Sequence, residues 1–178
     1  MAQRGANIEV LAADLNGDGF ADILERNVDT GELTARLNLG YGGGNTFSGR
    51  VAIGFVTMTG PEWTVLVADF DGDHRADIAD YHRPSGYFWI HRNTSSGNGI
   101  SFDPADWGMG QGYGAAGWKV IVGDFTGDGR ADFADLNTAT GEFWVHLNYG
   151  NGTFQPQGTS SGYARSYRPN TDWKFLGE

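Results

Sequence analysis

Apolar residues in this chain are gathered into short runs of strand length, and the runs recur. IEVLAAD from Ile8, WTVLVAD from Trp63 and WKVIVGD from Trp118 each end on an aspartate, and a fourth run, WKFLGE, starts at Trp173. Successive runs lie 55 residues apart, so one supersecondary unit repeats along the chain, and the run is its strand A. An acidic loop leads to strand B (DILERN, DIADYH, DFADLN), and a glycine-bearing turn (VDTGE, RPSGY, TATGE) leads to strand C (LTARLN, FWIHRN, FWVHLN). A glycine-rich connection (GYGGGNTF, SSGNGISF, YGNGTF) then leads to a more variable strand D.

Turn signals every 8 to 12 residues between β-rich runs describe a four-stranded antiparallel meander. The expected class is all-β, a β-propeller of three four-stranded blades of 55 residues each: repeat 1 over 8–62, repeat 2 over 63–117, repeat 3 over 118–172, and an extra strand over 173–178. An open β-solenoid fits less well, because solenoid coils are shorter than this period. Closed propellers need about 4 to 8 blades. Three blades therefore imply self-association: a dimer forming a six-bladed ring, ahead of a nine-bladed trimer or a piece of a longer array.

Composition narrows the function classes. The chain has 178 residues with 29 glycines and 24 aromatic residues, no cysteine, and a formal charge of −10. Ten of its 22 acidic residues sit in the three loops, so the acidity is mostly ligand inventory; it also disfavours nucleic acid. The opening MAQRGANIEV lacks an apolar core of signal-peptide length, and no apolar run approaches the ~20 residues of a membrane-spanning helix. No membrane insertion is expected, and the compartment stays unassigned.

The loops DLNGDGFAD, DFDGDHRAD and DFTGDGRAD place oxygen donors at every other position. Loop one offers Asp14, Asn16, Asp18, the Phe20 carbonyl and Asp22; loop two offers Asp69, Asp71, Asp73, the Arg75 carbonyl and Asp77; loop three offers Asp124, Thr126, Asp128, the Arg130 carbonyl and Asp132. Five convergent oxygens suit a hard cation that takes ~6 to 8 oxygen ligands, so Ca²⁺ is expected at about three per chain, with magnesium disfavoured by its stricter octahedral shell. Loop three, with neutral Thr126, is expected to bind more loosely than loop two with its four carboxylates. His74 stands where the other loops have Gly19 and Gly129, and so must adopt a left-handed conformation. The alternative is an Asp-Gly turn that closes a hairpin and binds nothing, but unpaired aspartates so close together would repel.

Repeats with D-x-D-x-D-G-x-x-D between strands A and B resemble the FG-GAP and VCBS repeats of integrin α-subunit propellers. The string WKVIVGDFTGDGRADFADLNTATGEFWVHLNYGNGTF, and its second copy beginning WTVLVADFDGDHRADIADYH, resemble the repeat of the Psathyrella velutina lectin-like family. That resemblance covers essentially the whole chain and is strongest in repeats two and three. It implies a calcium-bearing propeller that binds N-acetylglucosamine-type glycans in pockets between adjacent blades. The family's ring has seven blades, a number that three repeats do not divide.

If Arg83 to Gly86 closes the B–C hairpin, Asp80 faces Trp89, His82 faces Tyr87 and Ile78 faces His91. Alternation then gives one apolar face (Ala79, Tyr81, Phe88, Ile90) and one mixed Asp/Trp/His surface. Repeat three reproduces it with Asp135, Asn137, Trp144 and His146, whereas repeat one has Glu25, Thr34 and Arg36 and lacks the ring. An aromatic plane beside a carboxylate and an imidazole suits a sugar, so Asp80, His82, Tyr87, Trp89, His91, Asp135, Asn137, Trp144 and His146 are candidate sugar contacts. Trp118 and Tyr113, at and before strand A, are further candidates. The same columns equally describe tryptophans filling the gap between blades and an Asp–His pair that satisfies itself.

These readings converge on a non-enzymatic, calcium-containing, multivalent lectin, with an adhesion or scaffold propeller binding protein through its rim loops as the alternative. Asp80, His82 and Asp135 can each do acid–base work, but no nucleophile-plus-base motif accompanies them.

Overall fold

The computed structural model describes residues 7–41, 46–97, 99–114, 116–158 and 165–166; the expected extra strand 173–178 lies outside the described residues. Among them there is no α-helix, and the twelve strands form three four-stranded sheets. Sheet one is β1 (Ile8–Ala13), β2 (Asp22–Asn27), β3 (Glu32–Arg36) and β4 (Val51–Val56). Sheet two is β5 (Trp63–Ala68), β6 (Asp77–His82), β7 (Tyr87–His91) and β8 (Gly108–Gln111). Sheet three is β9 (Trp118–Gly123), β10 (Asp132–Asn137), β11 (Glu142–His146) and β12 (Arg165–Ser166). Each is an antiparallel meander in chain order, the architecture of three propeller blades.

The register follows from where the loops pull. Ala13 pairs with Asp22, Ala68 with Asp77 and Gly123 with Asp132, so each acidic loop closes the end of an A–B hairpin. Across the next hairpin Asp80 pairs with Trp89 and Ile78 with His91, and in sheet three Asp135 pairs with Trp144. Strand C begins one residue earlier than the apolar pattern predicts and stops at Arg36, His91 and His146. It stops there because the N–H of Asn38, Asn93 and Asn148 donates to the loop aspartates Asp22, Asp77 and Asp132 at 2.7, 2.7 and 2.8 Å.

Two apolar cores lie between the sheets. Leu24, Leu33, Ala35 and Ile53 of sheet one meet Val65 and Ile78 of sheet two. On the other side of sheet two, Ala79, Tyr81, Phe88 and Ile90 meet Phe133 and Phe154 of the third repeat. Phe88 stacks on Phe133 with ring centroids 3.7 Å apart, and Phe154 meets both rings edge-on. Burying each such ring contributes about 1.5–3 kcal/mol. Sheet two is thus packed on both faces: Ala79, Tyr81, Phe88 and Ile90 form the apolar face that alternation gives, and the mixed face meets sheet one. Its mixed face is graded: Ile78, Asp80 and His91 are buried, Trp89 and His82 are half-buried, and Tyr87 is exposed.

Polar stitches accompany the apolar cores. The Ala76 N–H donates to the Asp14 carbonyl and the Ala131 N–H to the Asp69 carbonyl, both at 2.7 Å. The Asn93 amide bridges the Leu15 and Ala76 carbonyls at 2.9 and 2.8 Å, and the Asn148 amide bridges those of Phe70 and Ala131 at 2.8 and 2.9 Å. Loops one and two are thereby each fastened to the next sheet, with Leu15 and Phe70 fully buried at the joint.

Asn93→Ala leaves two buried carbonyls without donors and is expected to cost about 2–3 kcal/mol. Asn38→Ala, where the amide within one chain reaches only the Ala21 carbonyl near the surface, is expected to cost the single chain under about 1 kcal/mol. Thermal or denaturant unfolding of the two variants checks the contrast.

Candidate functional site

Each acidic loop is wound around its first aspartate. Asp14 accepts the N–H groups of Gly17, Asp18 and Gly19 at 2.7, 3.2 and 2.7 Å. Asp69 accepts those of Gly72 and His74 at 2.7 and 2.8 Å, and Asp124 those of Gly127, Asp128 and Gly129 at 2.6, 3.2 and 2.9 Å. Such tight winding needs a positive φ at the sixth position: 84° at Gly19, 85° at Gly129, and 69° at His74, which among the described residues is the one non-glycine residue there.

The last aspartate of each loop is buried and spans three segments. Asp22, Asp77 and Asp132 accept the N–H of Leu15, Phe70 and Phe125 with one oxygen, and the strand C asparagine N–H with the other. Burial pushes the Asp77 carboxyl up to about 7 against those two N–H donors, with the charges of Asp71 and Asp73 adding to the rise. Asp71 is raised by burial and by the neighbouring Asp73 charge, and Asp22 and Asp132 are raised chiefly by burial. Asp124, fully exposed, is lowered by the loop N–H groups led by that of Gly129.

The loops differ in what they offer a cation. Asp69, Asp71 and Asp77 bring carboxylate oxygens within 4.8 Å of one another, the one such trio among the described residues. A buried carboxyl whose ionised form is disfavoured, beside two further aspartates, is what a divalent ion relieves, so the donor set of loop two fits one. In loops one and three the third position is Asn16 or Thr126; the Asn16 amide donates to Asp18 at 3.0 Å and the Thr126 hydroxyl to Asp124 at 3.3 Å. The fifth position is engaged locally: Asp73 is paired with the Arg75 guanidinium, and Asp128 with that of Arg130 at 2.6 Å. The N–H groups of Phe20, Arg75 and Arg130 each donate to the aspartate two residues earlier at 2.9 Å.

The Asp/His columns expected to touch a ligand lie inside the sheet junctions. Asp80 accepts the Met58 N–H at 3.2 Å and lies 3.5 Å from His91 Nε2. Asp135 accepts the Tyr113 N–H at 2.7 Å and lies 2.8 Å from His146 Nε2, whose Nδ1 is 3.1 Å from the Gln155 carbonyl oxygen. From the preceding sheet, Arg26 Nη2 donates to the Met58 carbonyl and the Tyr81 hydroxyl to that of Tyr113. These residues lash the segment before each strand A between two sheets. Asn137 is likewise occupied: its side-chain oxygen accepts the N–H of Ala139 and Thr140 within its own turn. His82 Nδ1 sits 2.7 Å from Ser85 Oγ in the matching turn.

The rings emerge further out. Trp63 lies 4.7 Å from His82 and 5.6 Å from Trp89, and Tyr87 is 6.1 Å from Trp89. At the next junction Tyr113 stacks on Trp118 at 4.4 Å and 13°, with Trp144 at 5.9 Å. Trp118 borders a cleft of about 560 Å³ lined also by Glu62, Arg83 and Pro84 of sheet two. A cleft of about 420 Å³ repeats this position one unit earlier, with Asn7, Val28 and Asp29 in those places. Glu62 and Arg83 were not singled out from sequence; the Arg83 N–H bonds the Glu62 carbonyl at 2.9 Å, and the packing of sheet three brings this pair beside Trp118. In repeat one, Glu25 meets Thr34, Arg36 and Arg50 with no ring between them, as the columns predicted. Against the effect of burial, the Thr34 hydroxyl and the two guanidinium groups hold its carboxyl below the ordinary value.

Residues 14–79, from the first loop to the second strand B, match the FG-GAP-like repeat. Over that stretch the chain is similar to the repeat. Among solved structures, it is similar to a lectin of Agrocybe aegerita described for specific recognition of non-reducing terminal N-acetylglucosamine. The two share 27% identity at a TM-score of 0.61 over 86% of this chain, which spans 38% of that lectin's length. No curated protein matches. The FG-GAP-like repeat expected from sequence is thus matched over residues 14–79, and the three four-stranded meanders expected as blades are present.

His74 holds a left-handed conformation at a cost of about 1–2 kcal/mol for a residue with a Cβ. His74→Gly is expected to stabilise the protein by about 1 kcal/mol, read as a rise in Tm of about 2–4 °C.

Proposed function

We propose that this protein is a carbohydrate-binding lectin that engages N-acetylglucosamine-type glycans at the outer ends of its sheet junctions, without catalysing a reaction. The observation that carries this reading is the Tyr113–Trp118 platform beside the cleft shared with Glu62 and Arg83. A sugar presents C–H groups on one face and hydroxyls around its edge. A flat ring buries the former, and a carboxylate and a guanidinium answer the latter. The similarity to an N-acetylglucosamine-recognising lectin supports the same class of ligand. Trp63, Trp89 and Tyr87 offer a second aromatic surface one repeat earlier, so two weak sites per chain gain strength by multivalency.

Calcium belongs to this reading as a structural staple. Loop two holds it with Asp69, Asp71 and Asp77, and loops one and three hold it more weakly through Asp14, Asp22, Asp124 and Asp132. The ion supplies positive charge to a point where buried carboxylates repel, and so locks the A–B hairpin to strand C. The buried pairs Asp80–His91 and Asp135–His146 position the pre-strand segments that carry Met58 and Tyr113, and thus set the height of the rings.

Titration of immobilised N-acetylglucosamine-terminated glycans is expected to show binding that falls at least tenfold in Trp118→Ala with an unchanged circular dichroism spectrum. Absence of binding to these glycans in the unaltered protein, or full binding in Trp118→Ala, overturns the site.

Calcium at about 100 times its dissociation constant is expected to add about 2.7 kcal/mol per site, so chelation lowers Tm. Asp71→Asn is expected to remove most of the calcium-dependent rise that loop two provides, whereas Thr126→Asp enlarges that of loop three. Calcium titrations followed by scanning calorimetry check both.

A further inference from the structure

Each internal junction uses the same parts. A loop residue (Leu15, Phe70) inserts its side chain into the next sheet, its carbonyl accepts an asparagine amide, and the carbonyl of the aspartate before it accepts an alanine N–H. The outward faces of sheets one and three carry the two halves of one more such joint.

On sheet one the donors stand ready. Among the described residues the Ala21 N–H has no partner, and the Asn38 amide donates to the Ala21 carbonyl alone, where Asn93 and Asn148 each reach two carbonyls. Beside them, Ile8 and Val10 are 45% and 63% exposed, while Val65, the counterpart of Val10, is 2% exposed. On sheet three the acceptors stand ready. Among the described residues, the carbonyls of Asp124 and Phe125 accept nothing, although those of Asp14, Leu15, Asp69 and Phe70 all do. Phe125 is 42% exposed where Leu15 and Phe70 are fully buried, and Ile121 beside it is 45% exposed.

We propose that a second copy of this chain completes both halves. The outward face of sheet three in one copy packs on the outward face of sheet one in the other. Phe125 inserts beside Val10 and Ala12 as Phe70 does beside Val120 and Val122, the Asp124 carbonyl accepts from Ala21, and the Phe125 carbonyl accepts from Asn38. The pairing has a direction, because the sheet-one face offers donors and the sheet-three face acceptors; like faces would leave both sets unpaired. A directional contact used twice closes two copies into one ring of six sheets. This inference is independent of the sugar reading, since it rests on the hydrogen-bonding inventory of the end sheets.

Light scattering of the purified 178-residue protein is expected to give twice the 19.2 kDa chain mass. Phe125→Lys and Val10→Lys, both at exposed positions, are each expected to give single-chain particles with unchanged circular dichroism. Mixing the two variants is expected to restore the pair, because a mixed pair retains one junction with neither substitution. A single-chain mass for the unaltered protein, a particle larger than two copies, a pair that survives both substitutions, or failure of the mixture to associate overturns the proposal.

Discussion

The constraint on which this structure depends is the buried carboxylate at the end of each acidic loop. Asp22, Asp77 and Asp132 are fully buried, and each is held by one N–H from the start of its loop and one from the end of strand C. An ionised group is costly to bury, and it is tolerated only where its lone pairs are answered. Those two donors fix where the hairpin closes and where strand C stops. In sheets two and three the asparagine that supplies the second donor, Asn93 or Asn148, uses its side chain to grip the previous loop, so a local bracket becomes a link between sheets. The 55-residue period is the structural expression of that coupling: no sheet can set its own register without presenting the next one with a place to dock.

The same bracket explains the unequal loops. Loop two adds Asp71 to the buried Asp77 and so gathers more repulsion at one point than its neighbours, which carry Asn16 and Thr126. Arginine partly answers this, with Arg75 on Asp73, and the same pairing recurs in loop three with Arg130 on Asp128. A divalent ion bound at either loop would have to compete with these guanidinium groups for the fifth position.

Much of the architecture was legible because it is written in short-range chemistry. The three B strands occupy the residues that the sequence pattern assigned, and the cross-strand pairs Asp80–Trp89 and Ile78–His91 follow from the length of the Arg83–Gly86 turn. The left-handed His74 was legible from its glycine counterparts. The role of the Asp/His columns was harder to read. Alternation tells which residues share a face but not how deep that face lies, and a repeated polar column describes a ligand site and a buried network equally well. The deciding groups, the N–H donors of Met58 and Tyr113, lie more than twenty residues away in sequence and on segments without a pattern. The cleft of Glu62, Arg83 and Trp118 was missed for a related reason, since it exists only where two repeats meet.

Repeat one shows how the array distributes its sequence freedom. Its inward residues, Leu15, Leu24, Leu33 and Ala35, are as buried as their counterparts Phe70, Ala79, Phe88 and Ile90. Its outward columns depart from the pattern of Trp, Asp, Trp and His, holding Ile8, Glu25, Thr34 and Arg36 instead. Repeat one thus keeps the burial of its inward face while its outward face lacks the aromatic and Asp/His columns of repeats two and three, and that outward face is the one with no partner sheet among the described residues. Glu25 there meets Arg36 and Arg50, so this polar group is answered by its own sheet and does not wait for a neighbouring N–H as Asp80 and Asp135 do. What remains unanswered on that face is the strip of Ile8 and Val10 and the donors of Ala21 and Asn38. A face that neutralises its charges internally while leaving its apolar strip and stitching donors open is arranged to meet another sheet, and its chemistry matches the acceptors and exposed ring of sheet three.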